Sequence, residues 1–350
     1  MRAPGDGTVE IERFVQRARA STRFGLGPWV RRQVKNAVHR ANVEATFDRI
    51  AGGKIVVLLY HKVQRRPMGL WGEPVLGVQE FERQMAFLAS RYAPVSLDRA
   101  VRALRGEATL PPRAVAVTFD DGYRNNLVLA APVLARHRIP ATLFAVSGLV
   151  GTDRWMWPYE LEEMFLLNPA SRIAAVAGEP VIERICAAGL SQREAMFAAV
   201  DYLKQVGDAA MQRVMARLRA AMPVEVDDEN RYLSWDEVRE LAAYGIDVGA
   251  HTVTHPVLPL EPATSVEREL VHCAEVLERE VGRRPAHFAY PYGSTCPAVT
   301  ALTARNYEAA FTTVPGPCKN REALHELPRV CAPATVEELS FELARQVVFA

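Results

Sequence analysis

The sequence predicts an α/β fold in which parallel strands alternate with helices. Three observations carry that prediction. Short apolar runs bounded by turn residues recur from residue 54 onward, with amphipathic stretches between them. One run, Ala114 to Thr118, leads into Phe119-Asp120-Asp121-Gly122. Another, Gly245 to Ala250, leads into His251-Thr252-Val253-Thr254-His255. Alternation of this kind builds a parallel barrel or a doubly wound sheet, and in both the chemistry gathers at the carboxyl ends of strands.

Residues 1–50 read as an appended helical arm. Between Arg13 and Val43 there are eight Lys or Arg and no acid, and Val30, Val34, Ala37, Val38, Ala41 and Ala45 fall near helical spacing. Such a basic amphipathic helix either lies on an anionic membrane surface or packs on the barrel with its basic face in water. The barrel-like part is expected over 51–350. Lys54 to Val63 is a strand that delivers His61 at its end. Phe81, Met85 and Leu88 mark one face of a helix, and Ser96 caps the next, which ends near Gly106. After the Asp-Asp strand, Asn125 is placed to cap a helix that Pro132 interrupts. Ala141 to Val146 is a further strand.

From about 152 to 231 strand signals fade and helix formers dominate, which reads as a helical insertion in a barrel loop. Trp155-Met156-Trp157-Pro158-Tyr159 opens it. These rings suit stacking against a sugar, or equally a hydrophobic anchor. Beyond it, Ser234 to Glu237 forms a capping box and Gly245 closes that helix. Thr264 to Glu267 has the same pattern and opens a helix that Gly282 ends. A strand around His287 to Tyr290 carries a Pro-Tyr-Gly turn, Ala309 to Thr313 is a late strand, and a helix near 336–347 follows.

Two adjacent carboxylates at a strand end are expensive to bury unless paired or bound to a metal. Strand neighbours point to opposite faces, so one Asp can hold an ion while the other faces a water. Gly122 allows the sharp turn that follows. Asp-Asp-Gly by itself is also an ordinary turn. Two histidines four apart on one helical turn share a face and can grip one ion. Asp121, His251 and His255 then make three donors and leave positions open for water. Residue 252 is Thr, which excludes the His-Glu-x-x-His zinc signature.

These motifs resemble those of the polysaccharide deacetylases, carbohydrate esterase family 4, also described as the NodB-homology domain; the resemblance spans roughly residues 54–335. Phe119 to Gly122 is similar to the first family motif and His251 to His255 to the second. Phe288-Ala289-Tyr290-Pro291-Tyr292-Gly293 is similar to the third, although Ala289 stands where the family usually has Arg. Members acting on poly-N-acetylglucosamine also lack that Arg and carry a permuted Leu-x-His near the domain start; Leu59-Tyr60-His61 matches that branch. The resemblance implies a distorted (β/α)7 barrel and N-deacetylation of an amino sugar. It implies a divalent metal, zinc first, with Co2+, Ni2+ or Mn2+ as alternatives, on Asp121, His251 and His255. It gives Asp120 as general base, the Tyr292 N–H as oxyanion donor and His61 as general acid. Tyr290, Pro291, Trp155 and Trp157 are candidates for substrate contact. Arg329, in Leu327-Pro328-Arg329-Val330, either replaces the missing Arg by pairing with Asp120 or is a surface residue.

A net charge of +1 gives no hint of nucleic-acid binding. The five cysteines are scattered and none forms Cys-x-x-Cys, which suits reduced thiols in the cytoplasm. No basic start followed by an apolar run is present, and no stretch approaches a membrane span. A cytoplasmic chain, in peripheral membrane contact if the basic arm provides it, would act on a nucleotide-linked, lipid-linked or other precursor. A deformylase on the same scaffold and a non-catalytic carbohydrate-binding module are the rival readings. His137, His272, His287 and His325 are assigned to structure or surface.

Overall fold

A computed structural model describes residues 54–65, 76–225, 228, 230–319 and 323–348. The basic arm at 1–50 lies outside the described residues. The chain divides into two units, one formed around Trp155–Val226 and the other from the segments on either side.

Among the described residues, seven strands form the main path of the sheet in the larger unit: β1 (Val56–Tyr60), β2 (Ala114–Asp121), β3 (Ala141–Ala145), β4 (Ile246–Ala250), β5 (His287–Ala289), β6 (Ala309–Phe311) and β7 (Val330–Cys331), with a short strand, Ala93–Pro94, pairing off this path with β2. Their order is β7-β1-β2-β3-β4-β5-β6, and every neighbouring pair is parallel. A parallel bridge, Phe311 to Leu327, carries β6 onto the segment that runs into β7, which lies beside β1. The sheet therefore curls round as a distorted (β/α)7 barrel. β1, β2 and β3 are buried at every position. That is why they read as near-continuous apolar runs and not as alternating patterns.

Helices α1 (Val78–Arg91), α2 (Leu97–Leu104), α3 (Ala131–His137), α4 (Trp235–Glu240), α5 (Ala263–Val281), α6 (Pro297–Thr303) and α7 (Val336–Val348) belong to this unit. α1 buries Phe81, Gln84, Met85 and Leu88, a single stripe at helical spacing. Ser96 accepts the Arg99 N–H at the start of α2, and the reciprocal Ser234–Glu237 box opens α4. Gly282 ends α5 in a left-handed conformation.

Several local expectations fail. Asn125 caps nothing; a π-helical turn, Asn126–Ala130, runs straight into α3. Pro132 sits in the first turn of α3, at the junction where the π-helical turn gives way to α-helix, so the helix changes type there and does not end. The second capping box does not form either. α5 begins at Ala263 behind Pro262, which puts Thr264 inside the first turn with no cap to make. Among the described residues, no helix is long and apolar enough to cross a membrane.

The smaller unit is helical. Its helices, Trp157–Leu167, Ala170–Ala177, Pro180–Ala187, Gln192–Leu203 and Asp208–Ala221, surround an apolar cluster of their own that includes Leu161, Phe165, Ile173, Met196 and Met215. Trp157 belongs to that cluster and is 7% exposed. Its ring is consumed by packing within the unit, which corrects the expectation of a sugar-stacking face there. Trp155, just before the first helix, is half-buried.

Candidate active site

Register brings the site residues together. Tyr60 lies opposite Phe119, so His61 emerges beside Asp120. Asp121 lies opposite Ala145, Ala145 opposite Ala250, and Ala250 opposite Phe288. The residues following each strand thus meet at one end of the barrel.

The pleat would aim Asp120 and Asp121 to opposite faces. Instead Asp121 takes a left-handed conformation, φ 77°, and Gly122 follows at φ 90°. The Gly122 N–H closes the turn on the Asp120 carbonyl at 3.0 Å. This break re-aims the second carboxylate. Asp120 Oδ2 and Asp121 Oδ1 lie 3.9 and 3.7 Å from the same atom, His251 Nε2. Asp121 Oδ1 is also 3.7 Å from His255 Nε2.

The histidine pair is not helical, against expectation. Thr252 (φ 67°) and His255 (φ 62°) are both left-handed, and the segment is an irregular loop. The four-residue spacing works because the loop folds back on itself. The Thr252 hydroxyl accepts the His255 N–H at 2.9 Å and donates to the His251 carbonyl. The Gly148 N–H donates to the Val253 carbonyl at 3.0 Å, and a Cβ at Gly148 would lie 2.5 Å from that oxygen, so only glycine fits. Glu269 of α5 accepts the Val253 and Thr254 N–H groups from the other side.

The donor set fits a metal ion. One ligand atom from each of Asp121, His251 and His255 lies within 4.8 Å of the others, and all three residues are buried. Donors about 2 Å from one tetrahedral ion stand roughly 3.4 Å apart, close to the 3.7 Å separations here. The His251 Nδ1 is 2.7 Å from the Ala289 carbonyl. A carbonyl can only accept, so Nδ1 carries the proton and Nε2 presents its lone pair to Asp121. Burial, aided by the nearby charges of Arg329 and His61, pushes the His251 pKa down to about 4 despite the pull of Asp120. The ring is neutral, the form a metal requires.

Arg329 is fully buried just before β7 and pairs with Asp120 through both ends of its fork, Nη1 to Oδ1 and Nη2 to Oδ2, each at 2.7 Å. Its Nε donates to the Thr312 carbonyl at 3.1 Å, and its carbon centre lies 5.4 Å from the Phe144 ring centroid. Burial alone would raise the Asp120 pKa. The Arg329 charge, with His251, the hydrogen bond and His61, outweighs it and holds the carboxyl below its ordinary value. Asp120 therefore stays ionised at neutral pH.

Pro291 to Gly293 forms a tight turn after β5, with Tyr292 left-handed at φ 57°. The Tyr292 ring meets the His255 ring edge-on at 4.6 Å between centroids. Tyr290 is fully buried and its hydroxyl donates to the His325 carbonyl. Pro291 is buried too. Neither presents a free face for a sugar, which corrects their expected substrate contacts. The Asn126 side-chain amide, which the sequence did not single out, donates to the His61 carbonyl at 2.8 Å and ties that residue to the turn after β2.

The polysaccharide deacetylase family profile matches residues 107–175 and 187–310. A poly-β-1,6-N-acetyl-D-glucosamine N-deacetylase of Escherichia coli (strain K12) is 26% identical over 255 residues, 71% of this chain and 32% of that protein. A Bacillus subtilis relative is 27% identical over 113 residues, 38% of its length. The chain thus spans about a third of the length of the curated relatives it matches. Among solved structures, the Streptococcus pyogenes deacetylase PplD, in complex with acetate, superposes with a TM-score of 0.56 at 17% identity, over 84% of this chain and 98% of that one. IcaB from Ammonifex degensii gives 0.56 at 21%, over 83% and 97%. At such identities these likenesses speak to the fold.

Proposed function

The chain belongs to the polysaccharide deacetylase family, and on that premise we propose that it hydrolyses the N-acetyl group of an amino sugar, releasing acetate and a free amine. The observation that carries this reading is the convergence of three metal-type donors with one further carboxylate that an arginine keeps charged. A binding module has no use for that last carboxylate.

Asp121, His251 and His255 would hold the divalent ion, and two imidazoles with one carboxylate suit zinc, with cobalt, nickel or manganese able to substitute. When bound, such an ion polarises a carbonyl and makes water more acidic. Asp120 is the base that takes the attacking water's proton on a carboxylate oxygen. Arg329 orients it by engaging both oxygens, doing from just before β7 what the family's arginine does from the position of Ala289. The Tyr292 N–H, in its left-handed turn, is the donor to the developing oxyanion. His61 gives a proton to the departing amine nitrogen. The sum is amide plus water to amine plus carboxylate.

The match to the Escherichia coli enzyme supports β-1,6-linked N-acetylglucosamine oligomers as the first substrates to try, with nucleotide-linked and lipid-linked N-acetyl sugars beside them. A cytoplasmic setting is proposed from the scattered cysteines, none of which forms Cys-x-x-Cys; cell fractionation tests it. The functional test is to incubate the zinc-loaded chain with these compounds and measure acetate, together with loss of one acetyl group by mass. Acetate release that vanishes in Asp120→Asn supports the proposal. Formate release from N-formyl sugars alone moves the activity to a deformylase, and sugar binding without any acid release makes the chain a binding module.

A further inference from the structure

The loop between the two histidine donors holds two non-glycine residues in left-handed conformations, Thr252 and His255. Such backbone persists only where its surroundings over-determine it. Thr252 supplies one tie from within the loop. A second comes from outside, from Glu269 on α5.

Glu269 is 8% exposed and sits on the buried stripe of α5 with Val266, Leu270, Cys273 and Leu277. Its Oε2 accepts the N–H groups of Val253 and Thr254 at 2.7 and 2.9 Å. Its Oε1 accepts the Thr254 hydroxyl at 2.8 Å. All three donors lie between His251 and His255 in the chain. A buried carboxylate tolerates its burial when hydrogen bonds satisfy it, and charge-assisted bonds are the strong ones. Both oxygens of the carboxylate are used, so the loop is tied to α5 at three points.

We propose that Glu269 is a positioning residue for the metal centre: it clamps the two peptides between His251 and His255 and thereby sets the distance and angle between their Nε2 atoms. This rests on reading Asp121, His251 and His255 as metal ligands. Glu269 does not touch the ion or the substrate, and its loss acts through ligand geometry.

The test uses the full chain and cobalt as probe, with the dissociation constant from chelator competition and the visible absorption spectrum of the bound ion. Glu269→Ala is expected to weaken cobalt binding by roughly tenfold or more, as loss of ligand-orienting partners typically does, and to alter the spectrum. Glu269→Gln keeps an acceptor for the two N–H groups and an amide for the Thr254 oxygen, so it should recover most of the affinity. Glu269→Asp is one methylene too short to reach both and should behave like the Ala variant. If Glu269→Ala does not fold, the Asp and Gln pair decides. Wild-type affinity and spectrum in Glu269→Asp overturn the proposal. A wild-type chain that binds no cobalt overturns the metal reading itself, and this inference with it.

Discussion

The two ends of the barrel carry similar parts and use them differently. Each has an arginine–carboxylate pair and a buried histidine. At the carboxyl ends of the strands, Arg329 and Asp120 are almost wholly buried and joined by two 2.7 Å bonds. Beside them, His251 has one ring nitrogen on a carbonyl and the other facing carboxylates. At the amino ends, Arg105 and Glu308 pair at 2.6 Å with side chains 26% and 52% exposed. His287, at the start of β5, is 6% exposed and neither ring nitrogen has a hydrogen-bond partner among the described residues. Its ring lies edge-on to Phe311 instead. Burial pushes both histidines down to about 4. A shifted histidine therefore does not by itself mark a site. Convergence of several polar groups on one point does, and among the described residues the carboxyl end has it, at Asp121, His251 and His255.

The largest effects should fall at the carboxyl end. Asp120→Asn is expected to lower kcat by about 10²–10⁴-fold, while zinc affinity from chelator competition moves little, because Asp120 is not among the three donors. An unchanged kcat would remove the main difference between the two ends. Next, Arg329→Met leaves Asp120 buried without its cation, and chemical denaturation should show a loss of about 3–5 kcal/mol. Adding Asp120→Asn to Arg329→Met should restore part of that stability, since no charge is then stranded.

At the amino end the effect depends on pH. His287 has a folded pKa of about 4, below the value of about 6.5 for an unfolded histidine. Above pH 6.5 both states are neutral and the residue contributes nothing. Between pH 6.5 and 4 the unfolded chain takes up a proton that the folded chain refuses, so stability falls, and below pH 4 the loss is complete, on the order of 3 kcal/mol. Denaturant midpoints measured from pH 7 to 4.5 should fall less steeply in His287→Leu than in the wild type. Equal slopes would mean that the carboxylates Asp98, Glu308 and Asp247, whose charges act on this ring, offset both its burial and the Arg105 charge. The smallest effect belongs to Arg105→Ala, where an exposed ion pair is worth at most about 1 kcal/mol. A loss as large as that of Arg329→Met would erase the contrast between the two pairs.

Several elements were legible because they depend on neighbours in sequence. Apolar runs placed β1 to β4, and the Ser96 and Ser234 caps follow from hydroxyls within three residues of the N–H they accept. Local pattern misled where backbone left its usual regions. The period of a strand could not foresee Asp121 at φ 77°, nor the period of a helix the left-handed Thr252 and His255. Aromatic character does not separate a sugar-stacking ring from an anchor: Trp157 and Tyr290, both candidates for substrate contact, are packing residues. Glu269 did leave a trace: a glutamate at a core-facing position of an otherwise apolar stripe, between Val266 and Leu270.

Sequence alone determined which residues could do the chemistry, since carboxylate, imidazole and guanidinium groups are read directly, and it determined the alternation of strand and helix, since apolar periodicity is local. Only the tertiary structure decided that Arg329 meets Asp120, 209 positions away. That meeting depends on β7 docking against β1 and β1 against β2 in one register. Register between distant parallel strands is set by packing of the whole barrel, and no window of neighbouring residues contains it.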